Sequence, residues 1–447
     1  MALLGHVLVA DGDAETVIRR VEALNRAGYA AIPVSIGLDV RAMVAQRQPD
    51  AIVIGTGFDD VPAVEVACSL KQSDETAHIP ILLMTGQDAH AARARAVECG
   101  IEDLLQGDPG EAVLLARLAP LARMATMYAE MLNRIATARD FGIRVASANR
   151  PAIDAKDCKI LVVAETDGLI DTLRPALEAG EYSVEFESDA YLAADRIEGE
   201  RFDATLVLIG RGMDTERPFY FCSHIRNNPR LFNLPVLVVA EEGTFADEME
   251  AYDVGASSVM TAPVESDTLA ALLAILVRRQ RLRWGLRNPI VATLQGSAKA
   301  PFDGVYSGEF LIKHLGRLIP LTQAKNKTLA VVCFSIDSAP DLAEQFGAGA
   351  QRLILQQMAD WISGLLRVED LTARTGPIEF SALLPDTAEA EAQTVMRRIT
   401  GILHHSDFHL TEEVTEPIHV RVVAGCANLT PDDESAEDLI ARARDGA

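Results

Sequence analysis

Short, continuous apolar runs rich in β-branched residues alternate with stretches of helical periodicity through the first 285 or so residues of this chain. Runs of this kind are the mark of strands buried on both faces of a parallel sheet. The pattern occurs twice, with a period of roughly 150 residues. HVLVADGDAETVIRRVEAL from His6 is answered by KILVVAETDGLIDTLRPAL from Lys159, and PDAIVIG from Pro49 by FDATLVLIG from Phe202. HIPILLMTG from His78 matches NLPVLVVAE from Asn233, and ECGIEDLL from Glu98 matches DVGASSVM from Asp253. Two doubly wound domains follow, with any site at the carboxyl ends of their strands. Long helices over Glu111 to Ala146 and Asp267 to Leu286 carry the chain onward. Polar, proline-containing segments at Asn149-Arg150-Pro151 and Asn288-Pro289 place domain boundaries at 148/149 and 288/289.

The order then changes. TLAVVCFSID (Thr328 to Asp337) reads as a buried strand and QRLILQQMADWISGLLR (Gln351 to Arg367) as an amphipathic helix. DLTARTGPIEFSALLP (Asp370 to Pro385) reads as a hairpin turning near Gly376-Pro377. A second helix, AEAEAQTVMRRITGIL, and a further strand, IHVRVVAGCANL, complete a mixed α+β domain.

A formal net charge of −24 excludes broad nucleic-acid binding. The arginine-rich stretch through Arg278, Arg279, Arg281, Arg283 and Arg287 reads as a solvated helix end, where cations suit the dipole; an anionic partner docking there is the alternative. No apolar run has membrane-spanning length, the longest candidate being Leu269 to Val277. The first residues lack the basic head and apolar segment of a secretory signal. Six scattered cysteines show no spacing for zinc or a disulfide framework, so the cytoplasm is the expected setting.

The two repeats resemble response-regulator receiver domains. In that family a strand-1 acidic pair holds magnesium and a strand-3 aspartate accepts the phosphoryl group, while a threonine and a lysine read the modified state. The chemistry needs a carboxylate nucleophile and hard oxygen ligands. In the first repeat the acidic pair reads Asp11-Gly12, and the phosphoacceptor position is lost to Gly55. Thr85 is kept, and the lysine position reads Gly107. In the second repeat the pair is Ala164-Glu165, the acceptor falls between Leu208 and Gly210, and the last two positions read Ala240 and Ala262. Phosphorylation is not expected of either domain. Asp59, Asp60 and Asp214 read as surface carboxylates rather than substitute acceptors.

The last domain resembles the GGDEF domain of diguanylate cyclases, which join two GTP molecules into cyclic di-GMP. The signature reads Gly376-Pro377-Ile378-Glu379-Phe380. Receiver–receiver–GGDEF is the arrangement of the PleD group of response regulators, and this chain resembles the members of that group that have lost catalysis. The fold class expected is multi-domain α/β: two doubly wound parallel-sheet, receiver-like (CheY/flavodoxin-like) domains over 1–148 and 149–288, followed by an α+β, nucleotidyl-cyclase-like GGDEF domain over 289–447. The family's metal carboxylates fall on Ser335 and Ile378, and its guanine-reading pair falls on Ala343 and Arg352. Pro377 removes a backbone N–H from the signature turn. The resemblance therefore implies a degenerate domain that is not an enzyme, with no catalytic residue and no metal. Asp337 and Glu379 read as solvated carboxylates.

The family's product-inhibition motif is present as Arg367-Val368-Glu369-Asp370. An arginine can fork onto phosphate or onto a guanine O6/N7 edge, and an aspartate accepts from guanine N1 and N2. Arg398, with Arg397 beside it, matches a third contact, whereas an arginine that receivers of this group donate across domains falls on Ser183. The resemblance implies cyclic di-GMP as the ligand of Arg367, Asp370, Arg398 and Arg397. It also implies a homodimer with protein partners on the receiver-like domains, a proteolysis adaptor or a polar factor, and recruitment to a cell pole. No nucleic acid or membrane insertion is expected. A ligand-independent scaffold and a residual GTP-binding or cyclase-type regulator are the competing readings.

Overall fold

A computed structural model describes residues 3–86, 90–146, 157–165, 167–228, 230–301, 304–337, 339–408, 418–433 and 435–446. The chain forms two compact units, one comprising 5–125 with 149–285 and the other 1–4, 126–148 and 286–447. The expected boundary at 148/149 lies outside the described residues. Pro289 lies inside a helix, and the nearby division between units falls between Gly285 and Leu286.

The first of these units holds both repeats. The first repeat runs β1 (Gly5–Ala10), α1 (Ala14–Arg26), β2 (Tyr29–Val34), α2 (Gly37–Arg47), β3 (Ala51–Ile54), α3 (Ala63–Gln72), β4 (Ile81–Thr85), α4 (His90–Cys99), β5 (Asp103–Gln106) and α5 (Glu111–Asp140). The second runs β6 (Lys159–Ala164), α6 (Asp167–Ala179), β7 (Ser183–Glu187), α7 (Ala190–Gly199), β8 (Ala204–Ile209), α8 (Glu216–Asn227), β9 (Val236–Glu241), α9 (Met249–Asp253), β10 (Ser258–Ala262) and α10 (Ser266–Ala292). The sheets are wholly parallel, in the orders β2-β1-β3-β4-β5 and β10-β9-β8-β6-β7. Every residue of β3 and β8 is buried, as continuous apolar runs require. These are the doubly wound receiver-like domains expected.

The arginine-rich stretch departs from expectation. Arg279 and Arg283 are buried rather than solvated. Asp103, at the start of β5, receives Arg117 through Nε at 2.8 Å and Nη2, and Arg279 through Nη1 at 3.4 Å. Arg117 also donates to the Ser258 hydroxyl at 2.5 Å. Asp103 and Ser258 hold equivalent positions in the two repeats, so the matched strand starts β5 and β10 meet through these side chains. Arg283 donates to the Asn233 carbonyl at 2.8 Å, and Arg281 pairs with Asp203. The expectation failed because charge density along a helix says nothing about a second domain covering it. The absence of a disulfide is likewise corrected. Cys68 of α3 and Cys99 of α4 are bonded across Cα atoms 5.2 Å apart, brought together by helix packing rather than by sequence spacing.

The second unit contains β11 (Tyr306–Ser307), α11 (Gly308–Ala324), β12 (Leu329–Ile336), α12 (Ala339–Gly364), the hairpin β13 (Leu371–Gly376) and β14 (Glu379–Pro385), α13 (Glu389–His405), β15 (Val422–Asn428) and α14 (Ala436–Asp445). Its mixed sheet is ordered β11-β13-β14-β12-β15, with β12 antiparallel to both neighbours. α12 begins before the expected helix and breaks at Gly347, whose φ of 85° is a left-handed conformation open to glycine. One face of the sheet packs Phe334, Phe380 and Met358, and the other packs Phe310, Leu315 and Leu439. This is the α+β GGDEF-type domain expected. Residues 126–140 of α5 belong to this unit, with Ala138 inside its core. Among the described residues, no helix is long and apolar enough to cross a membrane.

Asp103→Ala should strongly destabilise the unit formed by the repeats, since it strips the buried Arg117 and Arg279 of their carboxylate. Removing one partner of a buried pair costs about 3–5 kcal/mol. An unchanged denaturant midpoint would contradict the reading of this contact.

Candidate functional site

At the carboxyl end of the first receiver-like sheet, the place where a receiver holds magnesium is filled by the chain itself. Asp11 is buried and accepts from the backbone of Asp13 at 3.0 Å and of Gly57 at 3.1 Å. Its Oδ2 takes the buried Arg20 guanidinium at 2.8 Å, and Arg20 reaches on to Asp108 at 2.9 Å. Gly55 is required by this arrangement, because a Cβ there would lie 1.6 Å from Asp11 Oδ2 and 2.7 Å from Arg20 Nη1. Thr85 is buried and donates to the Leu105 carbonyl at 3.4 Å. Asp60 accepts the Gly37 and Leu38 amides at the start of α2, which holds its carboxyl below the ordinary range. In the second repeat, a Cβ on Gly210 would meet Met213 Sδ at 2.9 Å, and Asp214 accepts the Glu216 amide at 3.0 Å.

In the C-terminal domain, the signature residues occupy the turn between β13 and β14. Arg374 donates to the carbonyls of Gly376 at 3.2 Å and Pro377 at 2.6 Å, fixing the turn. Ile378 packs against the core below and its carbonyl receives Ile336 N–H at 3.1 Å. Glu379 is held by Arg444, at 2.8 and 2.6 Å, and by Thr375 at 2.5 Å. Asp337 pairs with Arg421 at 2.7 Å. Glu379, expected to be solvated, is therefore paired and largely covered, whereas Asp337 stays exposed to solvent within its surface pair. Phe380 is fully buried, and Ser335 stands opposite Glu379 in register. Among the described residues, no three or more His, Cys, Asp or Glu side chains gather as a metal group.

The Arg-x-x-Asp segment forms a tight turn just after α12. Asp370 accepts the Arg367 amide at 2.9 Å, and its own N–H donates to the Arg367 carbonyl at 3.1 Å. Its second carboxylate oxygen, Oδ1, is buried and lacks a hydrogen-bond partner among the described residues, as does Oε2 of the buried Glu369 beside it. Burial and Glu369 push the Asp370 carboxyl up to about 7, while Arg367 and Arg134 pull the other way. Arg398 approaches from α13 and donates to the Leu365 carbonyl at 2.9 Å, closing the last turn of α12. Its charge bears on both Arg367 and Asp370, and burial lowers its own pKa. Arg367, Asp370 and Arg398 thus meet in one place. Arg397 does not join them: it bonds Gln393 at 3.3 Å and its charge bears on Cys426.

Under the turn lies a cluster that sequence reasoning missed. Arg134 donates from Nη2 to the carbonyls of Glu369 at 2.5 Å and Asp370 at 2.7 Å, and from Nη1 to Val368 at 3.4 Å. Its Nε donates to Glu130 Oε1 at 2.6 Å, and the same oxygen meets His314 Nε2 at 2.8 Å. All three side chains are buried, and despite burial His314 and Arg134 hold the Glu130 carboxyl down at about 2. The Glu130–Arg134 spacing on a helix is that of an ordinary surface ion pair, so nothing in the sequence marks it out.

Residues 302–446 match the model for the diguanylate cyclase GGDEF domain. Over 443 residues the chain is 25% identical to the response regulator PleD of Caulobacter vibrioides, covering 99% of this chain and 96% of PleD. It is 27% identical to diguanylate cyclase A of Treponema denticola over 40% of this chain and 45% of that protein. Over 26% of the chain and 51% of the relative, it is 26% identical to the phosphate regulon regulatory protein PhoB of Pseudomonas aeruginosa. Solved structures similar to part of the chain include the GGDEF domain of DgcB from Caulobacter crescentus in complex with c-di-GMP, at 16% identity and TM-score 0.32, covering 34% of this chain and 85% of that one. The FimX GGDEF domain of Pseudomonas aeruginosa is similar at 20% identity and TM-score 0.32, covering 34% and 91%.

These findings correct the expectation that the chain is not an enzyme. The match over 302–446 and the likeness to diguanylate cyclase A point to a cyclase. The expectation weighed single side chains at Ser335, Pro377 and Ile378, whereas the domain-wide likeness includes the sheet and hairpin that carry them.

Gly55→Asp should destabilise the first receiver-like domain and should not confer phosphoryl uptake from acetyl phosphate, because Asp11 and Arg20 occupy the space. A fully stable variant carrying an acyl phosphate at position 55, seen by mass spectrometry, would contradict this. Taken together, the chain is similar over nearly its whole length to the response regulator PleD, and its last third matches the GGDEF domain.

Proposed function

We propose that this chain is a cyclic di-GMP effector of the PleD-like kind, binding the dinucleotide at Arg367, Asp370 and Arg398 and passing the signal on through protein contacts of its receiver-like domains. One observation carries the reading. The Arg367 guanidinium is uncommitted among the described residues and lies beside an Asp370 oxygen that is buried and unpartnered. A buried carboxylate oxygen without a donor is costly. The N1 and N2 hydrogens of a guanine would supply the missing donors, and an arginine fork would take a phosphate or the O6/N7 edge. Arg398 would bring a second positive charge, while the adjacent Arg397 bonds Gln393 and stays out of the contact.

The domain limits 1–148, 149–288 and 289–447 belong to this proposal, as do the homodimer and a PopA-like role in which the ligand governs recruitment to a cell pole or delivery of an adaptor for regulated proteolysis. The likeness to diguanylate cyclases agrees with this reading, the same turn serving as a product-feedback site on a cyclase domain. Incubation with GTP and magnesium, followed by chromatography, should then yield cyclic di-GMP.

Calorimetry on the folded full chain tests the binding. Arg367→Ala should weaken cyclic di-GMP at least about tenfold, since a charge-assisted hydrogen bond contributes about 1.5–3 kcal/mol and 1.4 kcal/mol is tenfold. Unchanged affinity would place the ligand elsewhere.

Affinity should also depend on pH. With the Asp370 carboxyl at about 7, the acceptor form is the minority at pH 6 and the majority at pH 8. Binding should therefore strengthen as pH rises through 7. The unliganded fold should show the opposite trend, because a raised carboxyl pKa lends stability that is lost as pH climbs from the unfolded value of 3.8 past 7. A flat affinity profile between pH 6 and 8 would rule out Asp370 as the acceptor.

A further inference from the structure

A ligand turn works only if its contact groups are held at fixed spacing, and the residues that hold this one do not belong to it. The segment Arg367–Asp370 lies between the end of α12 at Gly364 and the start of β13 at Leu371. Two guanidiniums from different elements satisfy carbonyls of this connection. Arg398 of α13 takes Leu365, and Arg134 of α5 takes Val368, Glu369 and Asp370. Arg134 has little freedom, because Glu130 fixes its Nε and the Tyr306 ring lies 5.6 Å beneath its guanidinium. Glu130 is fixed in turn by His314, whose other ring nitrogen meets Thr137 Oγ1 at 2.9 Å. Thr137 and His314 are fully buried. The cluster ties residues 130–137 of α5 to α11 and to the turn as one rigid piece.

We propose that Arg134 is a positioning residue for the ligand bound at this turn, setting the spacing of Arg367 and Asp370 by holding the peptide carbonyls between them. The inference rests on the function proposed above and adds its regulation: any displacement of this stretch of α5 moves the carbonyl anchors and so changes affinity. By linkage, ligand binding stiffens the same stretch of helix. Because α5 continues back to Glu111 at the end of the first repeat, the helix is a covalent route by which events upstream reach the turn.

Arg134 has a second effect that a purely structural residue would lack. The groups facing Asp370 are Glu369, Arg367, Arg398 and Arg134, and Arg134 is one of the cations that favour its charged form. Loss of that cation shifts the pH at which binding strengthens to a higher value.

The test uses the full chain, calorimetry with cyclic di-GMP, and thermal unfolding. Arg134→Lys keeps the charge and the Glu130 pair but loses the fork, whereas Arg134→Gln keeps donors and loses the charge. Arg134→Lys should weaken binding about tenfold, equivalent to 1.4 kcal/mol, and lower the unfolding temperature while leaving unfolding cooperative. Arg134→Gln should move the pH profile of binding upward. Wild-type affinity and an unshifted pH profile in both variants, with Arg367→Ala still impaired, would overturn the positioning role. Wild-type affinity in Arg367→Ala would instead overturn the site itself. If Arg134→Gln does not fold, the Lys variant alone decides through its affinity.

Discussion

The candidate site depends on one buried guanidinium, that of Arg134, held between a carboxylate on its own helix and the carbonyls of the turn it faces. A charge so enclosed is tolerable only when nearly all its donors are matched, and the matching is what gives the turn a single shape. Glu130 and His314 complete the arrangement by anchoring the pair to α11. The turn is thereby left with an uncommitted arginine and a buried carboxylate oxygen short of a donor, the combination that guanine and phosphate chemistry can use.

The receiver-like domains show the opposite use of charge. Where a phosphoryl-accepting receiver keeps an open acidic pocket, Asp11 is neutralised by Arg20 within the fold, and Gly55 is the residue that leaves room for the pair. Between the repeats, Asp103 gathers Arg117 and Arg279, so that the two receiver-like domains are joined by buried ion pairs and by Arg283 on the Asn233 carbonyl.

Much of the fold was legible because its signals are local. The apolar runs of β3 and β8, the repeat spacing and the hairpin about Gly376-Pro377 follow from periodicity and turn chemistry. Arg367, Asp370 and Arg398 were legible from motif spacing, and they meet in the structure. What escaped depends on contacts distant in sequence. Arg279 and Arg283 read as solvated until a second domain covers them, and Glu130–Arg134 reads as a surface pair until the turn is laid on it. The Cys68–Cys99 bond is visible only once α3 and α4 pack, and Arg397 shares its neighbour's charge while pointing elsewhere. The inference of lost catalysis failed differently, by weighing single positions against a likeness that spans the whole domain.

Hydrogen–deuterium exchange on the full chain, with and without saturating cyclic di-GMP, tests the central claim most directly. The account predicts that the ligand slows exchange in residues 365–371 and, through the carbonyl anchors, in residues 126–140 of α5. Exchange unchanged in both segments while the dinucleotide is bound would contradict it.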